Sequence, residues 1–262
     1  MLDAFDNRGF KIGLWIFAAL ILIFLILPTL IVVPLSFSGS DLLQFPPRSF
    51  SLRWYDSFFG STAWMHALRT SLVLGVLTAA IAVPISLMTS IAMNRLGGLT
   101  SKTLYTYILS PSVIPGILLA IGLFFVLANL GLIGTLRGVL IGHVVLALPV
   151  TVIVLHPAVT RFDWGQVNAA RSMGAGWIRA ITHILLPQLS FTLMTAALMA
   201  FLTSLDEAVI SIFIAAGDSA TLPKLMFMSL RDQIDPTIAA ISTLWSVVVI
   251  SVVLIVNAIR SK

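Results

Sequence analysis

The chain has 262 residues, 59% of them hydrophobic and only 10% charged, with a mean hydropathy of +1.07. That makeup excludes an ordinary water-soluble domain. Its net charge of +5 comes from basic residues scattered between apolar blocks, which argues against nucleic-acid binding, and the absence of cysteine removes disulfides, thiolate metal sites and cysteine nucleophiles while leaving the redox compartment open.

The long uncharged blocks predict an all-α polytopic membrane protein. A bilayer core takes about 20 apolar residues per helical span, and about six spans fit this chain. A β-barrel would show short strands of alternating polarity instead. The first block is uncharged from Gly13 to Ser40, after Arg8 and Lys11. It is too long for a signal-peptide core and reads as an uncleaved first span. The spans are predicted at 12–36, 66–93, 104–129, 135–157, 188–216 and 237–259, within one transmembrane domain over 1–262.

Loop charge predicts the orientation. With the N-terminus inside, Arg8, Lys11, Arg95, Lys102, Arg161, Arg171, Arg179, Arg260 and Lys262, nine of the fifteen basic residues, fall on the inner side. Asp41, Asp56, Asp218, Asp232 and Asp235 fall mostly outside. Both termini are therefore expected in the cytoplasm.

The outer segment 37–65 holds Pro46-Pro47 and the string Phe50-Ser51-Leu52-Arg53-Trp54-Tyr55. Its rings suit either the headgroup level or an outer partner. Within the spans, Pro111-Ser112-Val113-Ile114-Pro115-Gly116 predicts a kinked or broken helix, for a transport pathway or for packing.

The inner segment 158–187 reads as short helices along the membrane surface. Asp163 and Gln166 resemble a capping box, so a helix starts near Trp164. Gly174 and Gly176 are expected to end it, and a second piece, Trp177 to Leu186, runs into Pro187 in the first turn of span five. Such an element can hand a push from a cytoplasmic partner to a membrane helix. Small Ala169 and Ala170 let another surface approach closely, and Gly174 permits a bend.

Asn168-Ala169-Ala170, three residues, Gly174, nine residues, then Ile184-Leu185-Leu186-Pro187 resembles the EAA motif of ABC-importer permeases, the coupling helix that docks into an ATPase. The resemblance implies an ATPase-coupling role for Asn168, Ala169, Ala170, Gly174, Ile184, Leu186 and Pro187. Asn168 stands where the family usually has Glu, so a salt bridge from this position is lost while hydrogen bonding remains.

Two further strings, Ala200-Phe201-Leu202-Thr203-Ser204-Leu205-Asp206-Glu207-Ala208-Val209-Ile210-Ser211 with Thr221-Leu222-Pro223, and Leu52-Arg53-Trp54-Tyr55, are similar to spermidine/putrescine transporter permeases, the second permease of the pair in particular. The resemblance implies the six-helix fold of binding-protein-dependent importers and a place in a bacterial inner membrane. It also implies a second homologous permease, two copies of a cytoplasmic ATPase that bind ATP and Mg, and an outer solute-binding protein as partners. No cofactor is expected in this chain.

Asp206 and Glu207 interrupt an apolar stretch, where a charge costs at least about 2.5–3.5 kcal/mol. Along a straight helix from Pro187, Asp206 lies about 28 Å away, in the outer half. The pair either lines a pathway for a cationic amine or reaches outer water at a helix break. His143 and His156, thirteen residues apart in one span, cannot share a metal and read as packed or interfacial histidines. The chain contains no Gly-x-x-x-x-Gly-Lys-Ser/Thr loop, His-Glu-x-x-His helix or Gly-x-Ser-x-Gly elbow, so nucleotide hydrolysis and membrane-embedded hydrolase chemistry are not expected of it. The competing readings are an ABC importer for another solute, such as phosphonate, iron, sulfate, molybdate or an amino acid derivative, and a secondary transporter, for which one acidic pair is a poor case.

Overall fold

The computed structural model describes residues 8–42, 44–232 and 235–260. In chain order the helices are α1 (Arg8–Ser36), α2 (Arg53–Gly60), α3 (Thr62–Leu96), α4 (Gly98–Val113), α5 (Gly116–Asn129), α6 (Leu136–Arg161) and α7 (Trp164–Ser172). They continue as α8 (Trp177–Ala180), a π turn (Ile181–Leu185), α9 (Leu186–Gln188), α10 (Ser190–Leu205), α11 (Val209–Ile214), α12 (Leu222–Asp232) and α13 (Thr237–Arg260). Lys262, counted above among the inner charges, lies outside the described residues, as do both chain ends.

α1, α3 and α6 are each long and apolar enough to cross a bilayer. Spans three and five depart from single straight helices. α4 and α5 meet at 103°, and the helical run Trp177–Gln188 meets α10 at 78°. The first bend sits at the proline cluster. Pro115 holds Ile114 extended, at φ −75° and ψ 131°, because its ring clashes with a helical residue before it, and α5 then restarts from Pro115.

The described residues form two compact units, 1–62 with 229–262 and 63–228. In the first, α13 packs against α1 and α2. The outer segment is tied by a short bridge between Ser38 and Phe50, and Tyr55 folds back so that its hydroxyl lies 2.7 Å from Ser36 Oγ, with its ring 5.3 Å from Phe37. Arg53 pairs with Asp41 and lies 4.1 Å above the Trp54 ring.

The second unit is built on close helix approach. α3 buries Ala67, Ser71, Gly75, Thr78, Ala82, Ser86 and Ser90 along one stripe, small residues of the kind that let membrane helices pack at short range. A Cβ at Gly75 would lie 2.7 Å from the Phe201 ring, and one at Gly142 would lie 2.6 Å from Ile210 Cγ2. Ala82, Ala147 and Ala200 join α3, α6 and α10 at the centre. Some buried hydroxyls find partners between helices, as Ser86 does with Thr151 and Thr78 with Ser204, since an unpaired polar group in an apolar core is costly.

Candidate functional site

Two places in the second unit gather the residues singled out by the sequence. The first is the segment after α6. Asp163 accepts a hydrogen bond from the Gly165 amide at 2.9 Å and starts α7 as expected, but the capping box is not completed. Gln166 instead accepts from Gln188 Nε2 at 2.7 Å, a tie across the segment that local spacing does not announce. α7 ends on Gly174, at φ +91°, where the Gly174 and Ala175 amides donate back to the Arg171 and Ala170 carbonyls. This is a glycine C-cap of the Schellman type. Gly176 does not end the helix as predicted. It stands extended before α8 and begins the second piece.

The segment is braced from beneath. Val167, Ala180 and Leu185 are fully or almost fully buried, and Leu185 and Leu189 share a core with Leu87, Leu155 and Val159. Trp164 donates from Nε1 to the Val159 carbonyl at 3.1 Å and stacks on Trp177 with ring centres 6.1 Å apart. Arg95, from the last turn of α3, covers Trp177 at 3.6 Å, a cation–π contact. A column of two indoles and a guanidinium therefore fastens the segment to α3 and α6.

The predicted coupling residues divide into two groups. Asn168, Ala169 and Gly174 are exposed and Ala170 is half-buried on α7 and its turn. Ile184 and Leu186 are also half-buried, with Leu186 packed against the core under the segment. Pro187 is exposed and lies just before the 78° bend, at the end of the first limb of span five. Its ring follows directly on the π turn; a proline ring clashes with the carbonyl four residues back in a regular α-helix. The sequence reading passed over Met173 and Ile178, which are 83% and 76% exposed. Large apolar side chains on a short loop helix between apolar spans are the signal that would have found them.

The second place is the gap between α10 and α11. The chain leaves helix at Asp206–Ala208, so the two carboxylates sit at a break, and the straight ruler from Pro187 fails because of the bend at Leu189. Counted from Ser190, Asp206 lies about 24 Å along α10. The pair is not used alike. Glu207 Oε1 accepts from the Ile210 amide at 2.6 Å and caps α11. Asp206 is exposed, with no ion pair to its side chain among the described residues. Lys224 on α12 donates to the Ile212 and Ala215 carbonyls at the end of α11, and burial pushes its ammonium below the usual lysine range. Behind the break, His143 on α6 is 1% exposed, with Nδ1 2.7 Å from Ser204 Oγ and Nε2 3.1 Å from Ser211 Oγ. His156 lies 5.5 Å from the Tyr105 ring.

Long apolar helices, two bent pairs and a braced short helix on one loop describe a polytopic membrane protein. The chain belongs to the family of binding-protein-dependent transport system inner membrane components, which it matches over residues 82–261. It is thus a membrane component of a transport system that depends on a binding protein. It is 24% identical over 239 residues to the spermidine/putrescine transport system permease protein PotC of Haemophilus influenzae, covering 91% of this chain and 93% of that protein. It is 28% identical over 228 residues to the putrescine transport system permease protein PotI of Escherichia coli K12, covering 84% and 81%. Its fold is that of a chain in the crystal structure of a bacterial ABC transporter involved in import of the acidic polysaccharide alginate, with a TM-score of 0.71 at 15% identity over 98% of both chains. The complex of such a transporter with an alginate pentasaccharide-bound periplasmic protein gives a TM-score of 0.73 at 16% identity over 98% of this chain and 95% of that one.

Proposed function

We propose that this chain is a pathway-forming permease of an ABC importer for polyamines of the spermidine and putrescine kind, driven by ATP hydrolysis in partner subunits. In this reading it pairs with a second homologous permease, docks on two copies of a cytoplasmic ATPase that hold ATP and Mg, and receives solute from an outer binding protein. Both termini face the cytoplasm, and the chain itself needs no cofactor.

The observation that carries the reading is the helix–turn–helix at 163–187. Its outer side offers Asn168, Ala169, Met173, Gly174 and Ile178, with small and apolar groups suited to close docking, while its inner side is locked to α3 and α6 by Trp164, Trp177 and Arg95. Closure of the ATPases pushes on this face, the brace passes the movement to α3, α6 and α10, and the path alternates between its outer and inner openings. Ile184, Leu186 and Pro187 shape the joint with span five.

The polyamine assignment draws on the likeness to spermidine/putrescine and putrescine permeases and on Asp206, an exposed carboxylate at a helix break in an apolar span. A fixed anion there attracts a diamine or triamine, and Glu207 supports it by holding α11 in place. The test is uptake of labelled putrescine by membrane vesicles containing the whole transporter. Asp206→Asn should raise the KM about tenfold, equal to about 1.4 kcal/mol, with the complex assembled as before. An unchanged KM would count against a pathway role for this residue.

A further inference from the structure

The α10–α11 break contains neither proline nor a glycine, since residues 205–208 read Leu-Asp-Glu-Ala, so besides the local cap by Glu207 a tertiary tie is to be sought. His143 supplies one. Ser211 Oγ donates to the Glu207 carbonyl at 3.1 Å, which leaves its lone pairs toward the imidazole, so His143 Nε2 carries the ring proton and donates to Ser211. Nδ1 is then an acceptor, and Ser204 Oγ donates to it at 2.7 Å. Thr78 on α3 in turn donates to Ser204 Oγ at 3.4 Å. Every hydroxyl proton is used once, and the chain of bonds runs in one direction from Thr78 to the Glu207 carbonyl.

Ser204 lies before the break and Ser211 after it. One imidazole with bonds of 2.7 and 3.1 Å bridges no more than about 8 Å. The ring therefore ties the two sides of the break to each other through α6. Gly142, next to His143, has no side chain to oppose this, and the Ile210 methyl occupies the space where its Cβ would be.

We infer that His143 is a positioning residue that clamps Ser204 and Ser211 across the α10–α11 break and so fixes the direction in which Asp206 is presented. Its effect on uptake rests on the pathway reading of Asp206, whereas the clamp itself does not. Because the chain has no cysteine, Asp206→Cys creates a single thiol in this subunit. Its rate of reaction with a charged methanethiosulfonate reagent is read in vesicles containing the whole transporter.

With His143→Phe the rate should change at least fivefold. His143→Gln, whose amide offers one acceptor and one donor, should stay within twofold of the unaltered background, and the milder Ser211→Ala should move in the same direction as Phe. With Asp206 intact, His143→Phe should raise the putrescine KM about tenfold with Vmax within twofold. A changed labelling rate with an unmoved KM supports the clamp and sinks the pathway role of Asp206. Labelling within twofold for both His143→Phe and Ser211→Ala, or Gln behaving as Phe, overturns the clamp. If His143→Phe does not assemble, Ser211→Ala decides.

Discussion

Asp206 and Glu207 are chain neighbours in different surroundings, and the difference follows from which backbone amides each can reach. Glu207 is three residues ahead of Ile210 and satisfies one of the free amides at the start of α11, while Asp206 ends α10 and faces outward. Two glycines are constrained as tightly. Gly174 sits at φ +91° with nothing within 4 Å of an added Cβ, so Gly174→Ala meets only the backbone cost of the left-handed region, about 1–2 kcal/mol. That loosens the docking turn without touching the core. The expected result is slower uptake together with a small drop in the melting temperature of the purified complex. Gly142→Ala is the opposite case. The new methyl would lie 2.6 Å from Ile210 Cγ2, overpacking of the kind that costs about 1–3 kcal/mol. It should lower the melting temperature of the detergent-solubilised complex by several degrees.

The coupling segment gains its stiffness from three ties: the Trp164–Trp177–Arg95 column, the Gln166–Gln188 bond and the core around Leu185. Trp177→Ala removes the centre of the column while leaving the exposed docking face in place. It should therefore keep most of the ATPase activity of the complex while lowering the putrescine moved per ATP hydrolysed at least severalfold, a ratio measured directly in proteoliposomes. The elements that were legible in the sequence are those with a local cause. The α4–α5 break follows from Pro115 acting on Ile114, the start of α7 from Asp163, and the end of α7 from Gly174. The features that escaped have tertiary causes. Gln166 left its cap because Gln188 is brought beside it, span five turns at Leu189, just after Pro187, and the α10–α11 break, capped locally by Glu207, is also tied by His143 from another helix.

For the whole molecule, composition announced the membrane and apolar periodicity announced the helices, since burial in lipid demands long uncharged runs whatever the tertiary arrangement. The path of two spans was hidden because hydropathy has no term for direction. The two compact units share a division of labour in sequence, with residues 63–228 holding the coupling segment, the break and the polar clamp. The account stands on the claim that α7 and its turn seat an ATPase. The most direct measurement replaces Ala169 with cysteine in the whole transporter and follows cross-linking to the nucleotide-binding subunit as ATP is added. The predicted result is an adduct between the two subunits whose yield changes with nucleotide. An assembled, transporting complex in which Ala169→Cys forms no such adduct under any nucleotide condition would contradict it.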